Sequence, residues 1–173
     1  GISTGAIIIK NVAIPAHYLI GDWNNGFYYA MEGFNCARPL VAAACIGAAG
    51  KALESGIEYI KERRAFGSPL AKFEGMQFQV AENYMKLESA RLLVYKAAWM
   101  LDQMYTKNRF SHKEINKAVA SAKLVAPTVA FDIIKDVLIW HGAYGYTKEA
   151  GLEKGLRGVA SYIMGAEGAQ NIM

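Results

Sequence analysis

Between Phe73 and Met104 the chain repeats an apolar pattern every seven residues. Phe73, Val80, Leu87, Val94 and Leu101 form one series, and Met76, Asn83, Ala90, Ala97 and Met104 form a second, three positions on. Two such series lie side by side on one face of an α-helix, as in the seam of a helix bundle. The pattern predicts a helix over about 74–105. Ser111-His112-Lys113-Glu114 follows, with the spacing that lets a hydroxyl and a carboxylate cap the same helix start reciprocally. A third long helix is therefore expected to start there and to run to about Trp140, with a kink at Pro127. Upstream, the spacing predicts a short helix over 27–34 and a long one over 36–64. Pro39 would fall in the first turn of the latter, where a missing N–H does no harm. Downstream, "HGAYGY" (141–146) reads as a glycine-containing turn, 148–164 as a fourth helix, and "GAEGAQNIM" as the start of another.

Residues 6–15, "AIIIKNVAIP", are β-branched and closed by Pro15, and read as a strand. "GDWNNG" (21–26) is a turn cluster, and "FGSP" (66–69) breaks the helical pattern. No second strand is predicted, and an isolated strand is not stable alone. The strand is therefore expected to belong to a β domain outside this chain. The predicted fold is all-α: an antiparallel four-helix bundle with one short N-terminal strand. We place the remnant of the β domain and a linker at 1–22 and the bundle at 23–173.

Composition narrows the function classes. The 173 residues are 53% hydrophobic and 20% charged, which describes a folded chain. The net charge of +4 is dispersed, and no basic run marks a nucleic-acid tail. "KERR" (61–64), the densest basic cluster, reads as a solvated helix C-terminus, where cations suit the dipole. No uninterrupted apolar run reaches the ~18 residues of a membrane span, so none is expected. Cys36 and Cys45 are too few for a disulfide framework. On one helix they would lie roughly 13 Å apart, too far to bridge. A reducing compartment fits: the cytoplasm, or the mitochondrial matrix in a eukaryote. The chain opens at Gly1 without a Met, which we read as a piece of a longer or processed protein.

Several chemistries lack their residues. None of the eleven glutamates has a His three positions on, as a ferritin-type di-iron site needs. There is no His-Glu-x-x-His, no Cys-x-x-Cys and no Gly-x-Ser-x-Gly. His141, at a helix end, is expected to be a local hydrogen-bond partner, and no metal is expected. One carboxylate stands out. Glu167 lies in "YIMGAEGAQNIM", among small and apolar residues, and is the general-base candidate. Its other reading is a helix N-terminal Glu favoured by the dipole.

Taken together, several stretches resemble the acyl-CoA dehydrogenase family. "KERRAFGSPLAKFEGMQF" (61–78) is similar to the family's Glu-Arg-x-x-Phe-Gly signature. "HGAYGYTKE" (141–149) is similar to its Gly-Gly-x-Gly-Tyr turn, and "GAEGAQNIM" to the segment bearing the catalytic Glu-Gly. "FNCARPLVAAACIGAA" (34–49) and "ARLLVYKAAWMLD" (90–102) match as well. "AIIIKNVAIPAHYLIGDWNNGF" resembles the last strand of the middle β domain and its linker. The resemblance covers the chain in order and implies the C-terminal helical domain of such an enzyme. The implied reaction is α,β-dehydrogenation of an acyl-CoA thioester, with a glutamate taking the α proton and FAD accepting hydride. The implied partners are an electron-transfer flavoprotein or similar acceptor, and further copies of the chain as a dimer or tetramer. An acyl-CoA oxidase or flavin monooxygenase on the same fold is the alternative. A third reading is an oligomerising module that, as these 173 residues alone, binds FAD weakly or not at all and is inactive.

The resemblance assigns residues one by one. Glu167 matches the base. A second family solution places the base before the arginine of the first long helix, and here that position is Ala37. Arg38 matches a substrate-binding arginine, with Asn35 where Asp is common; Asn35 also reads as a helix cap. Gly168 joins the substrate group. Arg63 and Phe66 match contacts to the FAD of a neighbouring subunit, and read otherwise as a surface arginine and a loop Phe packed on the core. Ile139, Gly142 and Ala143 match a backbone stretch approaching FAD, and Ala169 a further FAD contact. Ile139 stands where Gln is common, Ala143 where Gly is, Glu74 where Gln is, Ala166 where Tyr is, and Ala169 where Thr is. One extra residue lies between Arg157 and Glu167.

Overall fold

Helix α1, Gly26–Glu62, carries the chain from the N-terminal segment into the core without interruption. The two upstream helices predicted at 27–34 and 36–64 are one. Pro39 therefore sits in the helix interior, buried, and not in a first turn. The helix survives it because the packing of Pro39 itself and of Ala42, Cys45, Ile46 and Ala49 beyond it outweighs one missing hydrogen bond. The computed structural model describes residues 5–166.

The remaining elements follow in order. A two-residue hairpin pairs β1, Arg64–Ala65, with β2, Ser68–Pro69. Helix α2 spans Glu74–Lys107, and α3 spans His112–Trp140. After a 3-10 turn at Gly142–Tyr146 comes α4, Leu152–Met164. The capping box is formed: Ser111 Oγ accepts from the Glu114 backbone N–H, and Glu114 accepts from the Ser111 N–H at 2.9 Å. The Ser111 backbone N–H, then its hydroxyl, hold the Glu114 carboxyl below its usual range. Helix α2 ends at Asn108, whose left-handed backbone (φ 50°) brings its N–H onto the Met104 carbonyl and the Arg109 N–H onto the Gln103 carbonyl. Helix α3 continues through Pro127. Helix α4 starts four residues later than 148, after the left-handed Gly151.

Side-chain pairs fix the helix directions. Asn35 meets Asn116, and Tyr59 stacks on His141, so α1 and α3 run parallel. Gln79 meets Trp140, and Trp99 meets Phe110, so α2 runs against α3. Lys123 meets Tyr162 and Ile134 lies against Gly155, so α4 does too. The result is the up-down-up-down bundle the heptad pattern implies. The core face of α2 is the predicted one: Asn83, Leu87, Ala90, Val94, Ala97 and Leu101 are buried. Helix α3 packs on all three others. Its Val119, Ala122, Ala126, Ala130, Ile133 and Val137 are buried, and the alanines let neighbours approach closely.

Two expectations are corrected. Residues 6–15 form no strand: five of their apolar side chains, Ile7, Ile8, Ile9, Val12 and Ile14, are exposed. Without a ladder partner among the described residues, β-branched composition alone does not make a strand. The strands that do form lie at "RAFGSP", where a break was expected. Helix α1 also contains an 18-residue window of mean hydropathy 1.4, long and apolar enough to cross a membrane by length and composition. Its apolarity is used in packing, since Ala42, Cys45, Ile46, Ala49 and Leu53 are buried in the bundle.

Candidate functional site

Those residues singled out in the sequence that the structure describes collect at the two ends of the bundle. At one end, Arg38 Nη1 donates to Asn35 Oδ1 at 2.8 Å, and Asn35 Nδ2 donates to Asn116 Oδ1 at 2.6 Å. Asn35 is inside α1, so it caps nothing; its amide instead orients the guanidinium and ties α1 to α3. An Asp there would add charge to this hydrogen bond. Beside it is a cavity of ≈ 340 Å³ lined by Tyr28, Met31, Glu32, Asn35, His112 and Asn116. Tyr105, from α2, closes the same region: its hydroxyl donates to Glu32 Oε1 at 2.9 Å and lies 3.4 Å from Cys36 Sγ. The hydrogen bond with Cys36, then burial and Glu32, raises the Tyr105 phenol above its usual range, so it stays a neutral donor.

The C-terminal end of α4 belongs to this end too. The Lys123 ammonium, two turns along α3 from Asn116, donates to the carbonyls of Tyr162 and Gly165 at 2.7 and 2.8 Å. The chain then passes through Ala166, whose φ is 56°. Glu167, Gly168 and Ala169 lie outside the described residues.

At the other end stand Arg63, Phe66, Ile139, Gly142 and Ala143. Arg63 is the exposed residue that ends α1, as the reading of "KERR" expected. Phe66 and Gly67, with φ of 51° and 80°, are the two central residues of the hairpin turn. Arg64 Nη2 braces the turn through the Gly67 carbonyl at 2.9 Å. Phe66 is 99% exposed, so it does not pack on the core. Ile139 is 63% exposed, and Gly142, in the left-handed region at φ 59°, has open space around it. Behind them Tyr59 stacks on His141 at 4.0 Å, and His141 Nδ1 lies 2.8 Å from the Val137 carbonyl. His141 is thus the local partner the sequence suggested.

This second end presents four features to solvent. It offers an aromatic ring fully in solvent on a braced turn, an exposed isoleucine, a guanidinium with no hydrogen bond or ion pair among the described residues, and open backbone at Gly142. Sixteen residues of α3 separate Lys123 from Ile139, which puts the two ends about 24 Å apart.

Three participants were not picked out from the sequence: Lys123, Tyr105 and Asn116. Lys123 carried a signal. It falls on the apolar face of α3, four residues after Val119 and three before Ala126. Tyr105 and Asn116 are ordinary polar positions whose partners lie on other helices.

Residues 24–173 match the family model described as acyl-CoA dehydrogenase, C-terminal domain. The 3-(aryl)acrylate reductase of Clostridium sporogenes is 36% identical over 159 residues, covering 92% of this chain and 40% of that one. The CarC subunit of the caffeyl-CoA reductase-Etf complex of Acetobacterium woodii is 36% identical over 154 residues, covering 89% and 38%. Among solved structures, the butyryl-CoA dehydrogenase of Megasphaera elsdenii superposes with a TM-score of 0.86 at 32% identity, covering 95% of this chain and 41% of that one. The chain therefore spans about 40% of the length of these relatives.

Proposed function

The chain belongs to the acyl-CoA dehydrogenase family, as its C-terminal domain, and from that premise we propose that it supplies the proton-abstracting base, Glu167, to an FAD-dependent α,β-dehydrogenation of an acyl-CoA thioester. The observation that carries this reading is the convergence at one end of the bundle. The Arg38–Asn35–Asn116 chain, the adjoining cavity and the end of α4, two residues before Glu167, belong to one region. Ala37 precedes Arg38, so that position offers no competing carboxylate.

The chemistry needs these parts. The α C–H of a thioester is a weak acid, so its base must be close and poorly solvated, with a pKa raised toward the working pH. Gly165, Ala166, Gly168 and Ala169 around Glu167 leave room for a thioester to approach. Glu167 takes the α proton, the C–H electron pair forms the double bond, and the β hydrogen departs with its own pair. A bound flavin supplies the hydride acceptor for that last step. Arg38 and Asn35 hold the polar part of the substrate, and Gly168 gives it backbone access.

Arg63, Phe66, Ile139, Gly142 and Ala143 would hold the cofactor, together with Ala169. The place of Arg63, Phe66, Ile139, Gly142 and Ala143 at the far end of the bundle supports a site shared between copies, in which this end serves the neighbour's flavin. A dimer or tetramer follows from that. Electrons leave to an electron-transfer flavoprotein or similar acceptor, as the name of the CarC relative's complex suggests. Two of the three relatives carry reductase names and the third is a dehydrogenase, and the same residues serve the reaction in either direction. The test is Glu167→Gln in the full-length protein. FAD should stay bound while turnover of acyl-CoA thioesters falls about 10²–10⁴-fold; near-normal turnover contradicts the assignment.

A further inference from the structure

Lys123 is 2% exposed and is the largest fully buried side chain among the described residues. A buried ammonium is costly unless its donors are used and a negative field faces it. Both conditions are met at the end of α4. The last carbonyls of a helix are its negative pole and lack partners within the helix. Lys123 takes the Tyr162 carbonyl from that set. It also takes the carbonyl of Gly165, which is already beyond the helix. The helix terminus has its own closure, since the Gly165 N–H reaches the Ser161 carbonyl at 2.9 Å. A cap for stability alone could come from a solvent-exposed cation or a glycine motif, at no cost in buried charge.

The backbone that Lys123 grips is also the unusual part of the segment. Ala166 follows directly, and its φ of 56° lies in the left-handed region, which is uncommon for a residue with a Cβ. A core lysine on one side and a left-handed alanine on the other specify the path of the chain at 165–166. Glu167 is the next residue. We propose that Lys123 is a positioning residue: by holding the Tyr162 and Gly165 carbonyls from within the core, it sets the path that delivers Glu167 to the substrate. This rests on the reading of Glu167 as the base and adds the group that aims it.

The test is Lys123→Met in the full-length, flavin-loaded protein, assayed with butyryl-, hexanoyl- and octanoyl-CoA and a ferrocenium acceptor. Methionine keeps the apolar length and removes the donors. On the best of the three thioesters, kcat should fall about 10–100-fold, as for a base displaced by about an ångström. KM should change little, and the flavin should remain bound. The comparison is Val159→Ala, a core truncation on α4, the helix whose end Lys123 holds, which should lower thermal stability and leave kcat at 25 °C unchanged. A kcat loss in Lys123→Met no larger than in Val159→Ala would overturn the proposal. If Lys123→Met does not fold, Lys123→Arg, which keeps charge and donors with a different reach, is measured in the same way. Failure of both to fold assigns Lys123 to stability and also overturns it. Glu167→Gln, run alongside, separates the two readings. Normal turnover there removes Glu167 as the base, whereas an inactive Glu167→Gln with a fully active Lys123→Met removes only the role given to Lys123.

Discussion

Gly56 on α1 faces Val137 on α3 so closely that an added Cβ would lie 2.9 Å from Val137 Cγ1 and 3.0 Å from Trp140 Cε3. The two parallel helices meet there without a side chain between them. Gly56→Ala should therefore destabilise the protein by about 1–3 kcal/mol, the usual cost of overpacking a filled core. Gly47→Ala, in the same helix but with nothing within 4 Å, should be neutral or stabilise by up to about 1 kcal/mol. Chemical denaturation of both variants checks this; equal effects would mean that α1 and α3 are not in contact at Gly56.

Phe66 should show a trade between stability and cofactor retention. A phenylalanine at φ 51° is strained, and this one has no packing to offset the strain. Phe66→Gly should leave the melting temperature of the protein unchanged or slightly higher. The same variant should lose flavin more readily on dilution, because the exposed ring is the part offered to the cofactor. Unchanged flavin retention would remove Phe66 from the cofactor group.

A site shared between copies predicts complementation. Glu167→Gln and Arg63→Ala should each be inactive alone. In a mixed dimer, one site carries both defects and the other neither. Statistical mixing should then restore roughly a quarter of wild-type activity. Mixtures that stay inactive would place both residues at the same site of one chain.

The cysteines should react differently. Cys36 is exposed and Cys45 is buried. Burial pushes the Cys45 thiol up to about 11, against the opposing charge of Lys123. At pH 8 iodoacetamide should label Cys36 in the native protein and reach Cys45 only on unfolding. The raised thiol also sets a pH dependence. Its contribution to stability is fully present below about pH 9, the ordinary thiol value, and is lost as pH rises toward about 11, because the unfolded state ionises first. Cys45→Ser should flatten that alkaline limb in a stability–pH series.

What could be read from the sequence divides along physical lines. The heptad series gave α2 and its buried face, and Ser111-x-x-Glu114 gave the start of α3, because both signals are local and repeat or close within a few residues. Pro39 misled: it suggested a helix start, yet α1 runs through it, since tertiary packing overrides a single local preference. The strand at 6–15 misled in the opposite sense, because strand formation depends on a partner that composition does not reveal. The hairpin at 64–69 was hidden by its length of two residues a side. At the site, Arg38, Asn35, Arg63 and Phe66 were assigned by the resemblance to the family, residue by residue, and not by composition or periodicity. Lys123 was passed over because a lysine in a helix reads as surface unless its register is checked against the apolar face.

The central claim is that Glu167 removes the α proton. Anaerobic mixing of the full-length, flavin-loaded protein with a reactive acyl-CoA tests it in a single turnover, without an acceptor. The wild type should bleach its flavin absorbance on the timescale of turnover, and Glu167→Gln should bleach about 10²–10⁴-fold more slowly with the same flavin content. Bleaching of Glu167→Gln at the wild-type rate would contradict the account.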